Sequence, residues 1–151
     1  MKALTIHQPW ATLIALGEKR FETRSWATKY RGPLAIHAGK KVDKEICRQE
    51  PFKTILEKHG YTADNLSTGV VVAVANLSEW YEVHIDHTGD AVLISGNVPA
   101  VWVGKDSNEF NFGWYDDGRF AWGLTNVRIL PFPTLARGQQ GLWNWDGGTT
   151  E

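Results

Sequence analysis

Apolar spacing divides the chain into recognisable segments. Ala3-Leu4-Thr5-Ile6 is a short β-prone run. Pro9 suits the first turn of a helix from Pro9 to Leu16, in which Trp10, Leu13, Ile14 and Gly17 recur at helical spacing and Gly17 supplies the stop. Gly17 to Trp26 reads as a strand on which Glu22, Arg24 and Trp26 share one face while Lys19, Phe21, Thr23 and Ser25 share the other. If the run instead enters its strand through a turn or bulge after Gly17, one residue is absorbed and Lys19 rejoins the face of Glu22 and Arg24. A basic loop, Ala27 to Arg31, leads into a second strand from Gly32 to Ala38. Asp43 to Gln49 and Phe52 to His59 form two helices that Pro51 keeps apart, the second closed by Gly60. Gly69 to Leu77 is the most apolar run and predicts a strand buried on both faces. Ser78 to Gly118 is expected to hold short hairpins and loops, with a turn at Asp116-Asp117-Gly118. Arg119 to Leu130 is a long strand presenting Phe120, Trp122 and Leu124 on one face, and Pro131 and Pro133 are expected to end its ladder. One domain over residues 1–146 and a frayed tail over 147–151 complete this reading.

Composition narrows the function classes. With 16 basic and 17 acidic residues the formal net charge is −1, so any nucleic-acid contact must use a local patch. A single cysteine, Cys47, excludes an intramolecular disulfide and a thiolate zinc site. No apolar run approaches the ~20 residues of a membrane span, and the start lacks the pattern of a signal peptide, so a cytoplasmic protein without membrane attachment is expected. His84 and His87 form a pair with no third ligand at a recognisable spacing, and no glycine fingerprint for phosphates opens a helix; neither metal nor cofactor is expected. Eight tryptophans exceed what a small core buries fully, and Trp26 and Trp143, beside polar residues, are candidates for stacking on a ligand.

The blocks Gln8-Pro9-Trp10-Ala11, Gly17-x-Lys19-x-x-Glu22-x-Arg24 and Tyr30-Arg31-Gly32-Pro33-Leu34-x-Ile36-His37 resemble the ASCH domain family. Phe120-x-Trp122-x-Leu124, Pro131-x-Pro133 and Gly138-x-x-Gly141-Leu142-Trp143 are similar to the endings of that family. The resemblance implies an α+β, PUA-like mixed sheet closing into a small β-barrel with flanking helices. It also implies three possible activities: amidohydrolysis of N4-acetylcytidine, RNA or DNA binding, and metal-independent ribonuclease action. In the hydrolase branch a threonine, a lysine and a glutamate act. The lysine corresponds to Lys19, the place of the threonine is held by Glu22 with Thr23 one position later, and the glutamate has no assigned counterpart.

The preferred reading is an amidohydrolase acting on N4-acylated cytidine or a related modified pyrimidine nucleoside. Its catalytic candidates are Lys19, Glu22 and Thr23. Either Glu22 activates water while Lys19 stabilises the oxyanion, or Thr23 attacks with Lys19 as base. Gln8, Arg24, Trp26, Tyr30, Arg31, His37, Gln140 and Trp143 are the candidate substrate contacts. In the binding-module alternative Lys19, Arg24, Lys29 and Arg31 meet phosphates while Trp26 and Trp143 stack bases. The expected partner is a modified nucleoside or single-stranded RNA, and the expected state is a monomer.

Overall fold

A computed structural model describes residues 1–147. Its strands are β1 (Lys2–Gln8), β2 (Phe21–Arg24), β3 (Gly32–Val42), β4 (Val70–Ile85), β5 (Ala91–Ser95), β6 (Val98–Val103), β7 (Phe120–Leu135) and β8 (Leu142–Asn144). Four short helices join them: α1 (Trp10–Ala15), α2 (Lys44–Cys47), α3 (Phe52–Lys58) and α4 (Asn108–Phe112). The strands form one mixed eight-stranded sheet in the order β2-β7-β4-β3-β1-β8, with β5 on β4 and β6 on β5. This is the expected α+β, barrel-like mixed sheet, although the pairing path from β2 to β8 stays open.

The residues gather into two compact units. One holds residues 1–18, 33–76 and the chain from 126 onward; the other holds 19–32 and 77–125. In the first unit, β1 runs parallel to β3 with Thr5 opposite His37, and antiparallel to β8 with Ala3 opposite Trp143. Alternation therefore puts Ala3, Thr5, Ala35, His37 and Trp143 on one face. Ala3, Ala35, Val71, Trp143 and Trp145 pack there as a core cluster. Helix α1 begins where the Gln8 side-chain oxygen accepts the Thr12 amide at 3.0 Å. Gly17, at φ +76°, ends it in a conformation that costs glycine little. Asp43 caps α2 through the Ile46 amide at 3.0 Å. Cys47 is buried in this cover, and burial first of all pushes its thiol up, away from a reactive thiolate.

In the second unit, Phe21, Val83, Ala91, Leu93, Val103, Tyr115 and Ala121 form the core. The turn expected at Asp116-Asp117-Gly118 is present, with Gly118 at φ +84°. His84 lies on β4, with its Nδ1 3.3 Å from Asp117, so the two histidines do not share a helix face.

Two sequence expectations give way. β4 does not stop at Leu77 but continues to Ile85, into the segment expected to hold short hairpins and loops, because its later residues, Glu82 to Ile85, pair with β5 in such a hairpin. β7 does not end at Leu130 but runs through both prolines to Leu135. The amide of Ala136 donates to the Gly69 carbonyl, so even-numbered positions here turn their polar groups toward β4. Pro131 and Pro133 occupy the alternate positions, where the missing N–H faces the open edge and no ladder bond is lost. Within the expected domain, Trp145 exchanges backbone bonds with Met1, at 2.8 and 2.9 Å, and is buried. Residues 148–151 of the expected tail lie outside the described residues.

Candidate functional site

In the second unit the signature residues assemble before and on β2. Lys19 precedes the strand, in the turn that follows Gly17, and this irregularity carries its side chain back to Glu22. Its Nζ lies 3.5 Å from Glu22 Oε1 and donates to the Phe21 carbonyl. The Arg24 Nε donates to Glu22 Oε2 at 2.9 Å. Lys19 is only 2% exposed, which rules out a solvated edge strand whose charges serve solubility. One carboxylate between two cations leaves the cluster a net charge of +1, suited to an anion or a developing oxyanion.

A residue that sequence reading passed over holds this geometry. Glu109, buried on α4, accepts the backbone amides of Arg20 at 2.8 Å and Phe21 at 3.3 Å. It occupies the donors that an ordinary strand would spend on a neighbour, and so fixes the turn that folds Lys19 inward. The Ser107 cap and acidic first turn of α4 are legible in sequence, but a bond spanning 89 residues is not. The buried Tyr115 hydroxyl has no hydrogen-bond partner among the described residues. Burial, with the fields of Glu109 and Glu22 adding to it, holds that phenol far above its ordinary pKa and therefore protonated.

The other candidates of this unit have defined tasks. Thr23 turns away from Lys19, as strand alternation requires, and its hydroxyl accepts the Trp114 amide at 2.9 Å. Trp26 sets its ring at 87° to Trp122, 4.7 Å between centroids, and its carbonyl accepts the Trp122 indole N–H. Tyr30 donates its amide to Thr28 Oγ1. Arg31 spends its guanidinium on the carbonyls of Thr28 and Tyr30 and on Glu79 at 2.6 Å, and so anchors the loop it was expected to lend to a phosphate. The Glu79 carboxyl is held below its ordinary value, chiefly by the Trp80 amide and then by Arg31.

The first unit holds the remaining candidates. Gln8 is fully buried, with its amide bonded to the Ser67 carbonyl at 2.8 Å and to the Thr12 amide. His37, also buried, shares Thr5 Oγ1 at 3.1 Å through Nδ1 and reaches the Ala136 carbonyl at 2.7 Å through Nε2. A carbonyl only accepts, so Nε2 carries the proton and, in the neutral ring, Nδ1 accepts from the Thr5 hydroxyl. Thr5 in turn accepts the Trp143 indole N–H at 3.1 Å, and the Trp143 ring stands edge-on to His37. Trp143 is therefore buried behind the histidine instead of lying open to a base.

This relay floors an open groove of about 960 Å³, lined among others by Lys40, Arg137, Gln139 and Gln140. Gly138 passes directly over the floor: a Cβ there would stand 2.8 Å from His37 Cε1 and 2.9 Å from Thr5 Oγ1. Because His37 is held at both nitrogens it cannot yield. Gly138→Ala is therefore expected to cost about 1–3 kcal/mol, the range of an overpacked core. Urea unfolding should show a lower midpoint with an unchanged slope.

Every lining residue comes from a stretch without acids: no Asp or Glu precedes Glu18, none lies between Glu22 and Asp43, between Asp64 and Glu79, or between Asp117 and Asp146. The charged side chains of the lining, Lys40 and Arg137, are both cations and both exposed. This local patch is what a net charge of −1 conceals, and blocks of sequence free of acid were the available signal.

The family model of the ASCH domain matches residues 4–112, a range that takes in the Lys19 cluster, His37 and Lys40 but stops short of the blocks from Phe120 to Trp143. Activating signal cointegrator 1 of Homo sapiens is 57% identical over 35 residues, 23% of this chain and 6% of that protein. The Mus musculus protein of the same name gives the same identity over the same shares. The chain thus spans only a small part of these relatives. With more than half of its length matched by the family model, the chain belongs to the ASCH domain family.

Proposed function

We propose that this ASCH domain binds single-stranded RNA, or a modified pyrimidine nucleoside within it, in the groove of its first unit. The observation that carries the reading is the acid-free lining: Lys40 and Arg137 offer charge to phosphates, while Gln139 and Gln140 offer amides that both donate and accept, the chemistry of a base edge. The rigid floor of Thr5, His37 and Trp143 supports the strap that carries those groups. The chain acts in this reading as a cytoplasmic monomer, its cysteine a buried thiol. Among the described residues no helix is long and apolar enough to cross a membrane.

A second reading, amidohydrolysis of N4-acylated cytidine, is favoured by one observation, the lysine buried 3.5 Å from Glu22. Glu22 would activate water and Lys19 would stabilise the oxyanion; Thr23, occupied by the Trp114 amide, is the weaker nucleophile. One experiment separates the two. The protein is incubated with N4-acetylcytidine and, separately, with a labelled oligoribonucleotide, and products and binding are followed. The binding reading expects a complex and unchanged ligands. Release of acetate, lost by about 100-fold or more in Glu22→Gln and kept in Thr23→Val, would establish the hydrolase instead.

A further inference from the structure

The half of β7 in the first unit, from Asn126 to Leu135, is unusual for a strand. Phe132 is 84% and Leu135 82% exposed, Ile129 is 49% exposed, and both prolines are exposed as well. Pairing with β2 spans Phe120 to Gly123, so among the described residues this half presents an open edge, and its prolines deny that edge the donors needed to add another strand. An apolar ribbon that refuses strand addition is built to offer side chains, not backbone.

Charge indicates what it is offered to. Arg128 stands at one end and Arg137 at the other, both exposed, and no acid occurs from Gly118 to Trp145. Nine residues of extended chain separate the two cations by about 30 Å, room for several nucleotides. Leu135 and Arg137 also line the groove; Ile129 shares the face of Leu135 while Arg128 and Phe132 share the other, so it is the open edge between the two faces that leads into the groove. Aromatic and apolar faces between cations, without acids, match a single strand of nucleic acid, which presents both phosphates and unpaired bases. The flanking cations, with no acid between them, favour a polyanion over an apolar protein surface, and a folded duplex hides its bases.

We propose that Phe132 is a base-stacking residue and that the ribbon Arg128 to Arg137 extends the groove into a track for single-stranded RNA; this rests on the groove being the RNA site. A free nucleoside fills only the groove, whereas a strand reaches both.

The test is an anisotropy titration of the whole chain with a labelled single-stranded oligoribonucleotide, with the matched deoxyribonucleotide and an RNA duplex as parallel arms. Phe132→Ala should weaken single-strand binding by roughly 5- to 100-fold, the scale of one lost base stack. Phe132→Trp should retain it. Thermal unfolding should match the parent in both variants, since so exposed a ring contributes little packing. A Phe132→Ala protein that binds within about twofold of the parent overturns the stacking role and leaves the groove reading standing. Duplex bound as well as single strand overturns it equally. A parent that binds no single strand removes both the track and the groove reading, and stronger binding of DNA than RNA would reassign the occupant to single-stranded DNA.

Discussion

Glu22→Ala is expected to be the most damaging single change in the second unit. It leaves the Lys19 ammonium, buried and 3.5 Å from the lost carboxylate, with the neutral Phe21 carbonyl in place of an ion pair, and it removes one carboxylate partner of Arg24 as well. Removing one member of a buried ion pair typically costs about 3–5 kcal/mol, because the remaining charge is uncompensated. The partial exposure of Arg24 lets water screen part of the loss, so a value near 3 kcal/mol is expected. For a chain of this size that lowers the melting temperature by about 6–12 °C, readable by calorimetry. Glu22→Gln, which keeps shape and an acceptor oxygen, should lose clearly less. Equal melting of parent and Glu22→Ala would mean that the cluster is not compensating charge.

The groove should show the second large effect, in binding instead of stability. Lys40→Ala combined with Arg137→Ala removes both cations from a lining that contains no acid. Each phosphate contact on a single strand contributes about −0.7 to the slope of log affinity against log salt, so the double variant should flatten the slope by about 1.4. Because both side chains are exposed, melting should hardly move. Loss of affinity with an unchanged slope would indicate that these cations act without meeting phosphates.

What was legible in the sequence divides by range. The signature from Gly17 to Arg24 allowed a regular strand or one entered through an absorbed residue, and the second is the arrangement in which Lys19 and Glu22 meet. Helices α1 to α3 and the buried run at Val70 were readable from periodicity and punctuation, whereas α4 fell in a segment expected to hold only hairpins and loops. The prolines of β7 misled because their effect depends on which edge the absent N–H would face, and that is decided by the partner strand. Glu109 was hidden because its bonds to Arg20 and Phe21 join segments almost ninety residues apart. His37 and Trp143 were singled out as contacts with ligand, yet their polar atoms bond each other's neighbours: register sets Thr5 between them, and register is not written in either residue. Likewise Lys40 and Arg137 are unremarkable until the fold places both around one groove.

Photocrosslinking tests the central claim most directly. An oligoribonucleotide carrying 4-thiouridine is bound to the whole chain, irradiated and digested, and the attached peptides are mapped by mass spectrometry. The account predicts crosslinks within the strap from Leu135 to Gln140 and around Lys40, suppressed by unlabelled single strand and by salt. Crosslinks confined to the segment from Lys19 to Gly32, or none at all at saturating RNA, would contradict it.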